Sequence, residues 1–184
     1  MTAAFAPPAA PPPTRPALRH RLRARRAATR PGVAVEGLPL LGAGVVLDLA
    51  GGATVTLGDG CVLGDGTRIH ARNGAAVTVG PGAVLGARCA LLSHAGIQVG
   101  ARALLGDGVV LVDFDHAYDD PERPVREQGL RTAPIAVGAR CRLGPGAVLE
   151  RGVRLEDGAE VPPNTVLPER PAPAPKPRPE GRPA

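Results

Sequence analysis

One spacing governs what this chain can fold into. From Leu57 to Leu167 aliphatic residues recur six apart: Leu57, Leu63 and Ile69; Val79, Leu85 and Leu91; Val99, Leu105 and Leu111. After a gap the series resumes at Val137, Leu143, Leu149, Leu155, Val161 and Leu167. Glycine follows most of them, at Gly58, Gly64, Gly80, Gly86, Gly100, Gly106, Gly138 and Gly144. A fixed short period of this kind is the mark of a solenoid. Six matches neither a helix face nor a hairpin, but it fits short strands bent one into the next at corners that glycine permits. Three hexads close one triangular turn, so the spacing predicts an all-β parallel β-helix.

Strand alternation supplies an independent check. If each repeat aliphatic points inward, the residue two before the next one also points inward and must be small. Those positions are Cys61, Thr67, Ala83, Cys89, Ala95, Ala103, Val109, Cys141, Ala147, Val153, Ala159 and Thr165. The three cysteines thereby read as buried small hydrophobes. No CxxC pair or mixed Cys/His spacing points to a metal, and none is expected. With 43% hydrophobic but only 2% aromatic residues, the core should be narrow and built of stacked aliphatics.

The 184 residues suit one structured domain. Residues 1–30 read as a Pro/Ala-rich disordered segment followed by a basic arm, whose few leucines could form a short helix or docked cap. Residues 31–169 read as the β-helix domain, with a long loop over 112–134. Residues 170–184 read as an extended Pro-rich tail. The net charge of +5 lies mostly on arginines in the two tails. Aromatics that would stack on bases are not interleaved with them, so specific nucleic-acid binding is not expected. No apolar run reaches membrane-helix length and the start does not resemble a secretory signal, so a cytoplasmic location is expected.

The repeat is broken at length once, over Leu111–Arg131, which holds His116, the chain's single tyrosine Tyr118 and a dense mix of charges. Asp115 stands where a small inward residue belongs, so the chain should leave the β-helix near Asp113 and return near Pro134. An excursion of this length in a tight solenoid is rarely ornamental. Just before the repeat aliphatics, Ala90, Val110, Val148 and Val166 form an outward apolar ladder. It predicts either an oligomer packed about that face or a stripe covered by the basic arm.

The hexads together with Asp115-His-Ala-Tyr-Asp-Asp-Pro-Glu-Arg-Pro-Val-Arg-Glu-Gln-Gly129 resemble the left-handed β-helix acyltransferases. The likeness is to the maltose/galactoside O-acetyltransferase branch and its polysaccharide-modifying relatives, over roughly residues 55–165. The left-handed winding comes from the resemblance alone, since crossovers are otherwise overwhelmingly right-handed. The resemblance implies a homotrimer with acetyl-CoA in a groove between subunits. It further implies acetyl transfer to a hydroxyl of a sugar or polysaccharide precursor.

His116, at the family's interval from Gly100, is the implied general base. A hydroxyl needs its proton removed as it attacks the thioester, and imidazole titrates in the range suited to that task. Asp113 or Asp115 is a candidate to orient the ring. His94 and Arg131 are candidates for contacting the acceptor, and Tyr118 either packs the loop down or stacks on a sugar. On the coenzyme side the resemblance points to Arg142, Gly144 and Pro145, with Arg140 and Arg142 as possible phosphate ligands. Arg142 replaces the family's usual aromatic, and Val161-Pro-Pro-Asn-Thr-Val166 runs on as Leu167-Pro-Glu-Arg-Pro rather than the family's Gly-Asn-Pro-Ala-Arg ending. Two further readings stay open: a degenerate, non-catalytic β-helix acting as a binding or structural module, and a sugar-nucleotide N-acetyltransferase.

Overall fold

The computed structural model describes residues 18–168. The hexads form a parallel β-helix with three faces, each a sheet of six short strands. The first face holds Val33–Val35, Thr54–Leu57, Ala76–Val79, Ile97–Val99, Ile135–Val137 and Arg154–Leu155. The second holds Leu40–Leu41, Val62–Leu63, Val84–Leu85, Leu104–Leu105, Arg142–Leu143 and Glu160–Val161. The third holds Val46–Leu49, Arg68–Ala71, Ala90–Ser93, Val110–Val112, Val148–Leu149 and Val166–Leu167. This is the all-β architecture expected, in keeping with the left-handed hexapeptide-repeat helix. The two Pro/Arg-rich tails expected to be disordered, over 1–17 and 170–184, lie outside the described residues.

Register explains why so few residue types suffice. Each inward residue stacks on its counterpart one coil away, as Val55 lies between Val33 and Val77. The column Leu63, Leu85, Leu105 and Leu143 is fully or nearly fully buried, each full burial of such a side chain contributing about 1.5–3 kcal/mol. Cys61, Cys89 and Cys141 occupy the small inward slots and are buried, with no disulfide. Burial pushes the Cys61 thiol up to about 12 and the Cys89 thiol up to about 11. Both stay protonated and unreactive at neutral pH.

The edges between the first and second faces, and between the second and third, take six residues per step throughout, from Leu57 to Leu63 to Ile69 for example. Coil is stacked on coil so closely there that a Cβ on Gly100 would sit 2.5 Å from Ala139 N and Gly138 C. That leaves glycine as the residue that fits. All length variation falls on the edge from the third face back to the first. Val33, Val55 and Val77 are 22 apart, Ile97 follows 20 later, Ile135 38 later, and Arg154 lies 18 after Ala136.

This variable edge corrects two expectations. Ala95 is exposed, not inward; the strand Ala90–Ser93 runs two residues past Leu91 and buries Ser93 instead, at 1% exposure. For the same reason the broken inward slot is Asp113, fully buried, while Asp115 is exposed. Counting four on from the preceding repeat aliphatic fails where the edge lengthens, because the third-face strand there continues to alternate past Leu91 and Leu111 and buries the residue two further on. Counting two back from the next aliphatic holds, at Ile97 and Ile135.

The basic segment forms the helix Leu18–Ala28, which lies across the N-terminal end of the solenoid. Ala24 and Ala27 join the core there. His20 Nδ1 lies 2.9 Å from the Leu41 carbonyl oxygen, which also accepts from Arg23. No helix among the described residues is long and apolar enough to cross a membrane.

Candidate functional site

The long excursion springs from the variable edge in the fourth coil. It leaves the third face after Val112 as an antiparallel ribbon, Phe114–His116 against Leu130–Thr132, with Asp115 opposite Arg131 and His116 opposite Leu130. Its root is tied down by Asp113. One carboxylate oxygen accepts from the His94 N–H at 2.6 Å; the other accepts from Ser93 Oγ (2.6 Å), Gly96 N–H (2.7 Å) and Ala95 N–H (3.0 Å). A buried carboxylate needs such donors to be tolerated at all. Asp113 therefore stitches the ribbon's start onto the corner one coil below.

The tip is closed by Gln128, whose amide accepts from the Asp120 N–H and donates to the Asp120 and Arg123 carbonyls. A short 3-10 turn, Val125–Glu127, precedes it. Arg131 bonds Asp119 and lies over the Tyr118 ring, 5.6 Å from its centroid. Tyr118 itself is 65% exposed, so its other face is open to solvent.

His116 is exposed near the base of the ribbon. Its backbone N–H donates to Asp115 Oδ1 at 2.7 Å. Neither aspartate is hydrogen-bonded to the imidazole in this chain: Asp113 is saturated by the corner and Asp115 turns to the backbone. The ring lines a cleft of about 600 Å³, floored by Leu92 and Val112 of the third face. Glu150 and Arg151, from the following coil, complete one wall.

His94 sits one coil lower on the same edge. Its ring packs against Phe114, 4.3 Å between centroids and tilted by 55°. Asn73, from the corner below that, lies with Nδ2 3.1 Å from His94 Nδ1. With the amide donating, Nδ1 accepts and the proton sits on Nε2. Below them Asp48 takes bonds from Arg72 (2.6 Å) and His70 (3.1 Å). The Arg72 hydrogen bond, with its charge and that of His70, holds the Asp48 carboxyl below its ordinary value.

The structure thus gathers His116, Asp113, Asp115, His94 and Arg131 on or beside one edge. Arg142, Gly144 and Pro145 lie elsewhere: Arg142 is exposed on the second face, and Gly144 and Pro145 form the next corner. Sequence reasoning missed Asn73, Phe114, Glu150 and Arg151. The signal was present, since all but Phe114 sit at corners of the variable edge, Asn73 after the second coil and Glu150 and Arg151 after the fifth, but it requires each coil length to be known first. Among the described residues no group of three His, Cys, Asp or Glu side chains could hold a metal ion.

Known proteins resemble the chain on both sides of the excursion. A family model described as the hexapeptide repeat of succinyl-transferase matches residues 76–112 and 134–167, the coils flanking the ribbon. No curated protein matches the sequence. Among solved structures, the chain is similar to a serine-to-cysteine variant of AntD, an N-acyltransferase from Bacillus cereus, in complex with dTDP-4-amino-4,6-dideoxyglucose and coenzyme A. That match has 15% identity and a TM-score of 0.66, covering 79% of this chain and 78% of the other. An aspartate-to-alanine variant of AntD with dTDP and coenzyme A matches at 14% identity and a TM-score of 0.60, covering 75% and 74%. The repeats and the likeness to these structures show the fold, a parallel β-helix of hexapeptide repeats.

Proposed function

We propose that this protein is a CoA-dependent acyltransferase that moves an acetyl group from acetyl-CoA to a hydroxyl of a sugar or polysaccharide precursor. The observation that carries the reading is His116: an imidazole free of side-chain partners, held on a ribbon rooted by Asp113, and facing an open cleft. As general base it would take the acceptor's proton while the oxygen attacks the thioester carbon. The C–S bond then breaks and the thiolate of CoA leaves with a proton, assistance commonly worth ~10²–10⁴-fold. His94, with Nε2–H available, and Arg131, beside Tyr118, are the acceptor contacts. Asp115 would bear on the ring's orientation after a shift of its side chain from the backbone.

The coenzyme side completes the site only with a second copy. Arg142, Gly144 and Pro145 lie away from the His116 edge of their own chain, so a groove lined by both sets needs a neighbour's second face against the first chain's third face. The in-register ladder Ala90, Val110, Val148 and Val166 supports such packing, and a homotrimer closes it. Replacing Val110 and Val148 by Asp should reduce the solution mass to that of the single chain; an unchanged mass would sink the assembly.

The test of the chemistry is acceptor-dependent release of free thiol from acetyl-CoA over a panel of sugars, repeated with His116→Ala. Loss of at least ~10²-fold in rate is expected, with melting temperature unchanged. Release that survives the substitution removes His116 from its role. The panel should include an amino sugar nucleotide, because the likeness to AntD favours N-acylation as the second reading. Faster turnover of the amine than of any hydroxyl would decide for it.

A further inference from the structure

The N-terminal end of the solenoid carries the chain's whole excess of positive charge. Residues 1–35 contain seven arginines and no acid, so of the net +5 the other residues carry −2. Five of these arginines lie in the helix Leu18–Ala28, and Arg30 follows it. Ala24 and Ala27 seat the helix on the first coil, and Arg23 and Arg30 donate to the Leu41 and Leu47 carbonyls. At 3.6 residues per turn the side away from the solenoid presents Leu22 and Arg25, flanked by Arg19, Arg21 and Arg26, all exposed. No ion pair among the described residues uses an arginine of this helix.

Two further features mark what this surface would meet. Leu22 is 56% exposed and Leu38, in the first coil, 54%. Beside the helix lies a cleft of about 190 Å³ lined by Arg23, Arg26 and Arg30 with Gly42 and Gly44, roomy enough for a phosphate headgroup.

We propose that this end of the solenoid docks on an anionic lipid bilayer, with the arginines against headgroup phosphates and the exposed leucines in the interfacial layer. Clusters of four to eight basic residues bind acidic leaflets through the surface potential, and apolar side chains add burial that a bilayer alone rewards. A soluble polyanion leaves Leu22 and Leu38 in water. A single-stranded nucleic acid would call for aromatic platforms, and the described aromatics, Phe114 and Tyr118, sit on the ribbon. The ribbon's coil is three strand steps from the first, along Val46, Arg68, Ala90 and Val110. That places it ~14 Å further along the axis, within reach of an acceptor displayed at the membrane surface. The docking itself does not depend on the acyl-transfer reading.

The experiment is flotation of the full chain with vesicles of phosphatidylcholine containing about one third phosphatidylglycerol, against phosphatidylcholine alone. Binding is expected to the anionic vesicles only, and to fall at high salt. Combined Arg19→Glu, Arg25→Glu and Arg26→Glu should weaken it at least about tenfold, with circular dichroism confirming an intact fold. If that variant unfolds, the three Arg→Gln changes serve in its place. Leu22→Ser, which keeps every charge, should weaken it about threefold. No flotation with anionic vesicles, or an intact charge variant that floats like the parent, overturns the proposal. So does Leu22→Ser floating unchanged while soluble heparin strips the protein from the vesicles, which would assign the surface to a soluble polyanion.

Discussion

Two edges of this solenoid turn in the same number of residues in every coil, and the third takes a different length in most of them. At the uniform edges the glycine that follows the repeat aliphatic, as at Gly58, Gly80 and Gly100, lies against the backbone of the next coil and nothing larger fits. Two residues on, at Gly60 and Gly108, a Cβ would meet nothing within 4 Å. The variable edge has such open positions too, Gly74 among them, and it alone takes added residues. The uniform edges propagate the fold; the variable edge accumulates Asp48, Arg72, Asn73, His94, Asp113 and finally the ribbon with His116. These polar and titratable side chains have gathered on the edge whose length is free to vary, as expected of loops on a rigid scaffold.

The contrast can be broken most directly at Gly100. Gly100→Val should cost about 4 kcal/mol, because its Cβ collides with backbone rather than a yielding side chain. Scanning calorimetry should show the melting temperature lowered by about 8–16 °C. Gly74→Ala, strained only by its φ of 75°, should cost about 1 kcal/mol. Equal losses at the two sites would remove the distinction between edges.

Asp113 sharpens the comparison, since it lies where the two regimes meet. Asp113→Ala strands the Ser93 hydroxyl and three backbone N–H groups, an expected loss of about 3 kcal/mol by denaturant titration. Asp113→Asn keeps an acceptor and should cost less. If the acyl-transfer reading holds, both variants should raise KM for the acceptor more than they lower kcat, because the corner carrying His94 loosens. Stability equal to the parent would mean that the ribbon is held some other way.

The smallest effect belongs to Asp48. Its folded-state value lies below its ordinary value of 3.8, chiefly through the Arg72 hydrogen bond. The stabilisation is therefore complete above that ordinary value and lost as pH falls through the lower, folded one. Parent and Asp48→Asn should differ slightly in melting temperature at neutral pH and converge in acid. A difference that grows as pH falls would contradict the pairing.

Much of this was legible before any coordinates. The hexad period implied the coil, and alternation within hexads placed Cys61, Cys89 and Cys141 in the core, because uniform edges make counting reliable. The ribbon was found by the interruption itself. Counting failed at the variable edge, taking Ala95 for Ser93 and Asp115 for Asp113, since the chain there keeps its inward alternation two residues past Leu91 and Leu111 before it turns away. Asn73 and Phe114 went unrecognised for the same reason: their shared neighbour His94 is known only after the coils are aligned.

The sequence by itself determined the repeat, the three faces, the small aliphatic core and the position of the one long excursion. These follow from local periodicity, which strand geometry converts directly into direction in space. Tertiary structure alone decided that Asp113 bonds the corner over 93–96, and that Arg131 bonds Asp119 with its guanidinium over the Tyr118 ring. It also decided that the basic arm is a helix closing the solenoid's end, and that Arg142 and His116 occupy different sides of the prism. Each of these is a contact across coils or along an irregular edge. Such contacts depend on strand spacing and coil length together, which no local pattern encodes.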